Sequence, residues 1–165
     1  MSRKAFKGGV TDTSTTLSNM GEVGDKRFVG GKTYRLVYAA TTQAAKALLA
    51  LDSTDAAMAS YTVQAMPASS APFWGINDTG ATLASGTYFW SLVEGPFVAD
   101  STVIGNLSAV TTEKHLAIDS DIKISLMGTV TSNATSPVIG ASIAAITSVD
   151  STQGTPTIYI KGLGA

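Results

Sequence analysis

The chain has 165 residues, of which 14% are charged and 44% hydrophobic, with no Cys, one His and a net charge of −1. The lack of Cys excludes disulfide scaffolds and thiolate metal sites, and the near-neutral charge argues against a nucleic-acid partner. The charged fraction lies well below the roughly 25% of an ordinary soluble domain. The sequence nevertheless contains no run of the roughly 18 apolar residues that a membrane-spanning helix needs. We therefore expect either a surface kept soluble by Ser and Thr or a surface largely covered by partners.

The first 20 residues are polar, contain a Gly8-Gly9 break and show little periodicity. We interpret residues 1–20 as an extended N-terminal arm and residues 21–165 as a single β-rich domain. The arm begins with a cluster of cations, so its basic end suits an acidic neighbour.

Short β-prone runs separated by turn signals follow the arm. Gly30-Gly31 lies between two such runs and predicts a hairpin. In the second run Tyr34 shares one strand face with Leu36 and Tyr38. Residues 44–51 fit two turns of helix, but a strand over 46–52 fits equally well, because so short a run has no decisive periodicity.

The middle of the chain concentrates the aromatic residues. The run 88–93 has Tyr88, Trp90 and Leu92 on one face and a further aromatic, Phe89, on the other. A strand of this kind is expected to be buried on both sides. We assign to core or subunit packing the residues Tyr34, Trp74, Tyr88, Trp90 and Leu92.

Three later runs, 118–126, 138–146 and 157–161, again alternate apolar and polar residues or consist of small apolar ones. Several short strands joined by Gly, Ser and Thr turns predict a mainly β fold, a small barrel or a sandwich, with at most one short helix. No fixed-period repeat is visible.

Four segments follow one another in an order that is typical of a known family: GKTYRLVY (31–38), GINDTGATLASGTYFWSLVEG (75–95), SPVIGASIAAI (136–146) and TPTIYIKG (155–162). In order and spacing the chain resembles the head-decoration, or cement, proteins of tailed bacteriophages. These are small β-rich virion proteins that bind the outside of an assembled capsid. The likeness covers roughly residues 21 to 162.

This resemblance implies a β-barrel or β-tulip-like body, a homo-oligomer with a trimer favoured, and no cofactor, metal or catalytic residue. It implies the major capsid protein lattice as partner, with no nucleic acid and no membrane. The protein would be assembled in the host cytoplasm and reside on the capsid exterior. The residues expected to dock on the capsid are Arg3, Lys4, Phe6 and Lys7.

Three alternatives remain open. The first is another virion part, such as a head-fibre base or a tail-associated subunit. The second is a carbohydrate-binding β-domain, which would need an exposed Trp74 or Trp90 for stacking. The third is a retropepsin-like aspartic protease, suggested by Asp78-Thr79-Gly80-Ala81 and the later Val138-Ile139-Gly140, in which two chains would bring two carboxylates together.

Two further polar features have ordinary readings. Asp119 and Asp121 are expected on one strand face, where their oxygens could join a Ca²⁺ site but more simply form a solvated face. His115 lacks any sequence context that marks an orienting acid and a nucleophile, so we interpret it as an exposed or edge residue.

Overall fold

The computed structural model describes residues 8–17, 20–52, 60–68, 71–100, 102–105, 115–119, 121–126, 138–142 and 157–165. These residues form strands and turns and contain no helix, which confirms the mainly β prediction. The strands are β1 (Thr13–Ser14), β2 (Lys26–Val29), β3 (Lys32–Ala39), β4 (Leu48–Leu51), β5 (Thr62–Ala65), β6 (Phe73–Ile76), β7 (Tyr88–Val98), β8 (His115–Ile118), β9 (Ile124–Leu126), β10 (Val138–Ser142) and β11 (Thr157–Lys161).

Five strands close into a barrel in the order β3, β5, β4, β6 and β7, because β7 pairs back with β3. The β3–β5 pair is parallel and the other four pairs are antiparallel. The second half of β7 pairs with β11, and the sheet continues through β10 and β8 to β9. The predicted small β-barrel is thus confirmed, with additional strands extending from it.

The ambiguous run at 44–51 contains a strand, β4, over Leu48–Leu51. One edge of β4 pairs with β5 and the other with β6. Leu48, Leu49 and Ala50 are all buried, as expected for a strand enclosed on both faces. Pairing with two neighbours outweighs the high helix propensity of Ala and Leu.

A β-bulge divides β7 into two halves. The register between β3 and β7 skips Val93, and Gly95 follows with a φ of 123°, a conformation that favours glycine. Leu92 and Phe97 pack in the same hydrophobic cluster, although an uninterrupted strand would place them on opposite faces. The bulge therefore lets one strand serve both the barrel and the outer sheet.

Two hydrophobic clusters use the two faces of the barrel wall. The smaller one draws residues from all five barrel strands and none from β8–β11, so it fills the barrel. The larger one joins the outside of the wall to β8, β9 and β11. Because β3 and β7 contribute to both clusters, their two faces are buried, as the aromatic pattern of 88–93 predicts.

The β3–β4 and β6–β7 connections have the same backbone conformation and pair antiparallel with each other. Gln43 and Leu83, one from each connection, exchange both of their backbone hydrogen bonds, at 2.9 and 2.8 Å. Each connection then turns through a residue of positive φ, Lys46 at 61° and Gly86 at 87°. Each connection is also hydrogen-bonded by a residue at or just before the start of the other one. Ala39 N–H, before the β3–β4 connection, donates to Thr87 O at 2.9 Å, and Asn77 N–H, at the start of the β6–β7 connection, donates to Ala47 O at 3.0 Å.

The segment after β11 crosses the space between β6 and β7. Gly162 N–H donates to Val93 O at 2.8 Å, and Gly164 N–H donates to Trp74 O at 3.3 Å. The guanidinium of Arg35 donates through Nε to Gly164 O at 2.7 Å. β6 and β7 pair directly only at Ile76, so these contacts close the rest of the barrel wall between them.

Candidate functional site

The four predicted docking residues, Arg3, Lys4, Phe6 and Lys7, lie outside the described residues. The chain that follows them is tied to the barrel. Thr13 and Ser14 form β1, which pairs antiparallel with the start of β7.

The rest of the stretch predicted as an arm packs on the body where it is described. Val10 and Leu17 lie against the larger hydrophobic cluster, and Met20 is buried within it. A turn closed by the Asp12 carboxylate, which accepts a hydrogen bond from Gly9 N–H at 2.8 Å, precedes β1. The described residues of the arm thus act as an anchor on the barrel.

The residues assigned to core or subunit packing lie in the barrel wall. Trp74, Trp90, Leu92 and Tyr34 are buried, and Tyr88 is half-buried against Tyr38, with ring centroids 5.0 Å apart. Both tryptophans are only 1% exposed. The stacking platform that the carbohydrate-binding alternative requires is therefore not accessible at either ring.

Asp78, the residue behind the protease alternative, is held by two donors from β3. Lys32 Nζ lies 2.9 Å and the Tyr34 hydroxyl 3.1 Å from the same carboxylate oxygen, Oδ2. Burial raises the pKa of Tyr34 above its usual range, and the nearby Asp78 charge raises it further. The phenol therefore stays protonated and serves as a hydrogen-bond donor.

The neighbours of Asp78 also have structural roles. The buried Asn77 amide donates to Ala44 O at 2.7 Å and Ala81 O at 3.0 Å, and its Oδ1 accepts from Thr79. The run Val138–Gly140 lies on β10, which β7 and β11 separate from β6 in the strand order. The hydrogen bonds of Asn77 are typical of a turn that orders the β6–β7 connection.

Asp119 and Asp121 do not share a strand face, contrary to expectation. They lie in the connection between β8, which ends at Ile118, and β9, which begins at Ile124. Asp119 Oδ1 accepts backbone N–H groups of Asp121 and Lys123 at 3.0 Å each, and Oδ2 accepts the Ser125 hydroxyl at 2.6 Å. Asp119 thus caps the β8–β9 turn, and the described residues contain no group of three or more potential metal ligands.

An ion pair joins the β3–β4 turn to the loop after β7. Lys46 Nζ donates to Asp100 Oδ2 at 2.6 Å, and the Thr102 hydroxyl and N–H donate to Oδ1 at 2.5 and 3.0 Å. The hydrogen bond from Lys46, followed by that from the Thr102 hydroxyl, lowers the pKa of Asp100 below its usual 3.8. The ionised carboxylate is thus favoured by folding.

Acidification tests this ion pair. Because the folded pKa of Asp100 is lowered, its contribution to stability is complete above the unfolded value of 3.8 and is lost as the pH falls through the lower folded value. We expect Asp100→Asn to lower the free energy of unfolding at pH 7 by up to about 1 kcal/mol and to lose less stability than the wild type between pH 4 and pH 2. Urea denaturation at several pH values measures both effects.

The control for this prediction is Asp121→Asn, since the Asp121 side chain is exposed. It should keep the pH dependence of the wild type. Equal acid sensitivity of Asp100→Asn and the wild type would contradict the prediction.

The β2–β3 hairpin carries a surface feature that sequence reasoning missed. Phe28 and Val29, next to the Gly30-Gly31 turn, are 75% and 43% exposed, while Arg27 lies with its guanidinium 5.6 Å from the centre of the Trp90 ring. The turn signal located the hairpin, but alternation alone does not show which apolar residues of an edge strand lack a neighbour.

No family model, curated protein or solved structure matches this chain. The described residues contain no helix that is long and apolar enough to cross a membrane.

Proposed function

We propose that this protein is a structural virion protein of a tailed phage, a decoration or cement subunit that binds the outer capsid lattice and stabilises the head. One observation carries the proposal: the segments that resemble decoration proteins contribute strands to one continuous sheet. They supply β3, the β6–β7 region, β10 and β11, and β7 links them. An ordered set of short motifs that all build one body supports a common design more strongly than any motif alone.

The proposed mechanism relies on contact area. The ion pairs Lys32–Asp78 and Lys46–Asp100 join neighbouring parts of the body, and only 14% of the residues are charged. A surface of this kind suits a subunit that is covered by other subunits. Weak contacts to one coat subunit gain strength when an oligomer repeats them over a lattice.

The basic end of the chain provides the proposed docking element. Arg3, Lys4, Phe6 and Lys7 precede β1, and an extended chain places Lys7 at most roughly 20 Å and Arg3 at most roughly 35 Å from Thr13. Docking would therefore take place within that reach of the start of β7, where β1 is anchored. The proposal includes a homo-oligomer, with a trimer favoured, on the capsid exterior after assembly in the host cytoplasm.

Removal of residues 2–7 tests the docking element. This deletion leaves β1 and the buried Met20 in place, whereas a deletion through residue 20 would also remove part of the core. We expect the shortened protein to keep its fold and to lose co-sedimentation with empty heads assembled from the coat protein of the same phage. Far-UV circular dichroism checks the fold, and sedimentation of the full chain gives the reference.

A charge-matched pair of variants sharpens this test. Arg3→Ala with Lys4→Ala should weaken binding to heads at least about tenfold, or 1.4 kcal/mol, because both cations are repeated at every lattice site. Lys123→Ala with Lys161→Ala removes the same charge elsewhere and should bind as the wild type does. Unchanged binding of the deletion variant would refute the docking role of the arm.

The proposed function fails if the intact chain never co-sediments with heads. Gold-labelled antibody against the chain, viewed on whole particles, separates the alternatives. Label over the head supports the decoration role, whereas label at a fibre base or on the tail would indicate another virion part.

A further inference from the structure

Among the residues that the structure describes, strand β2 has an open edge. It pairs with β3 and ends the order of strands in the sheet. The other end of that order, β9, is covered, because Ile124 N–H donates to Val103 O at 2.8 Å and Gly105 N–H donates to Ile124 O at 2.9 Å. Among the described residues, β2 is thus the one end of the sheet order with an unpaired side.

The turn of the hairpin determines which backbone groups point to this edge. Gly30 and Gly31 have φ values of 58° and 76°, as in a type I′ turn. Val29 and Lys32, which flank the turn, therefore form a hydrogen-bonded pair, and so do alternate pairs along the hairpin. Consistent with this alternation, Leu36 N–H donates to Asp25 O at 3.0 Å, so the N–H and C=O groups of Lys26 and Phe28 point away from β3.

The side chains beside this edge are unusually apolar for exposed positions. Phe28 is the most exposed large hydrophobic residue among those described, and the adjacent Val29 is also exposed. Open edges of natural sheets are usually protected by charged side chains, especially Lys, by proline or by a covering segment. In β2 the charges, Lys26 and Arg27, lie in the half away from the turn, whereas the exposed Phe28 and Val29 beside the turn favour the addition of another strand.

We propose that β2 is a self-association surface, which pairs antiparallel with β2 of a second copy around a two-fold axis. A head-to-tail arrangement needs two different complementary edges. The other described strand that pairs on one side only, β1, is just two residues long, whereas β2 can pair with a copy of itself. This inference concerns a two-fold contact of the isolated chain, and it depends neither on head binding nor on the trimer proposed for the capsid-bound protein.

The side chains select the register of this pairing. Residues opposite each other in an antiparallel pair lie on the same face, so a two-fold axis must pass through either Arg27 or Phe28 near the centre of β2. The first choice places two arginines opposite each other, which is unfavourable. The second places Phe28 opposite Phe28, Arg27 opposite Val29, and Lys26 opposite Gly30 of the second copy, so no like charges face each other.

Disulfide trapping tests this register directly, because the chain has no Cys. Opposite residues of a hydrogen-bonded antiparallel pair have Cα atoms about 5.5 Å apart, a separation that a disulfide bridges without strain. We expect Phe28→Cys to form a covalent dimer rapidly under mild oxidation. Lys26→Cys, whose two copies would lie roughly 14 Å apart in this register, and Val98→Cys, an exposed apolar site on β7, should cross-link much more slowly.

Sedimentation equilibrium supplies a second measurement. So small an interface is expected to be weak, so the wild type should show a dimer whose fraction rises with concentration. Phe28→Ser should lower the association constant at least about tenfold. Lys26→Pro should do the same, because it removes an N–H that points away from β3 and is available to the second copy. Val98→Ser should associate as the wild type does, and circular dichroism should be unchanged in all three variants.

A wild type that stays monomeric at its highest soluble concentration would overturn the proposal. So would a trimer whose mass is insensitive to Phe28→Ser and Lys26→Pro, or equal cross-linking rates for Phe28→Cys and Val98→Cys. None of these results bears on head binding, so failure of this inference and failure of the virion function can be told apart.

Discussion

The Trp90→Ala variant is expected to lose about 3–5 kcal/mol of unfolding free energy. The Trp90 ring is buried in the larger hydrophobic cluster, opposite Leu36 on β3 and in the same cluster as Phe97 beyond the bulge. Removing the ring leaves a cavity between the barrel wall and the outer sheet, and a strand paired on both sides has little freedom to close it. The guanidinium of Arg27 also loses its ring contact.

Urea denaturation measures this loss, followed by circular dichroism and by the fluorescence of the remaining tryptophan, Trp74. The matched control is Phe28→Ala, which removes an aromatic ring that lies on β2, the strand beside the barrel, and is 75% exposed. At low protein concentration this control should change stability by no more than about 0.5 kcal/mol. Similar losses for both variants would show that the Trp90 ring does not pack between the two parts of the sheet.

The second large effect is expected from Gly75→Ala, with a loss at the upper end of the roughly 1–3 kcal/mol typical of overpacking. A Cβ atom at Gly75 would lie 2.5 Å from Leu92 O and 2.7 Å from Ser91 Oγ. Leu92 belongs to β7, whose other edge is paired with β3, so its backbone cannot withdraw without breaking the barrel. The added methyl group must therefore separate β6 from β7.

Thermal unfolding monitored by circular dichroism tests this expectation, at roughly 2–4 °C for each kcal/mol lost in a chain of this size. Gly9→Ala is the control, because a Cβ atom there would have its nearest contacts at 3.6 Å, an ordinary distance. If the two variants melt together, β6 and β7 do not approach as closely as their backbones indicate.

Local sequence chemistry was sufficient for several features. Two consecutive glycines between β-prone runs predict the β2–β3 hairpin, since a type I′ turn needs positive φ at both positions. Aromatic residues on both faces of 88–93 predict a strand buried on both sides. Absence of Cys and a low charged fraction determine that the fold is stabilised by apolar packing, without disulfides.

The roles of the polar residues Asn77, Asp78, Asp119 and Asp121 could not be predicted from neighbouring residues. Asp78 and Asn77 read as a protease motif, yet their roles are set by Lys32, Tyr34 and Ala44, which are distant in the sequence and adjacent in the barrel. Asp119 and Asp121 read as a strand face because alternation does not reveal where a strand ends. The exposure of Phe28 depends on β2 having a strand neighbour on one side only among the described residues, which no local pattern records.

The sequence by itself determined the β class, the position of the hairpin and the two-sided burial of β7, because turn conformation and alternation are properties of neighbouring residues. The tertiary structure alone decided that 48–51 is a strand and that β7 changes faces at its bulge. It also decided that the β3–β4 and β6–β7 connections pair with each other at Gln43 and Leu83. These features arise from pairing between segments far apart in the chain. Such pairing depends on which edges meet, and a period of two residues leaves that choice open.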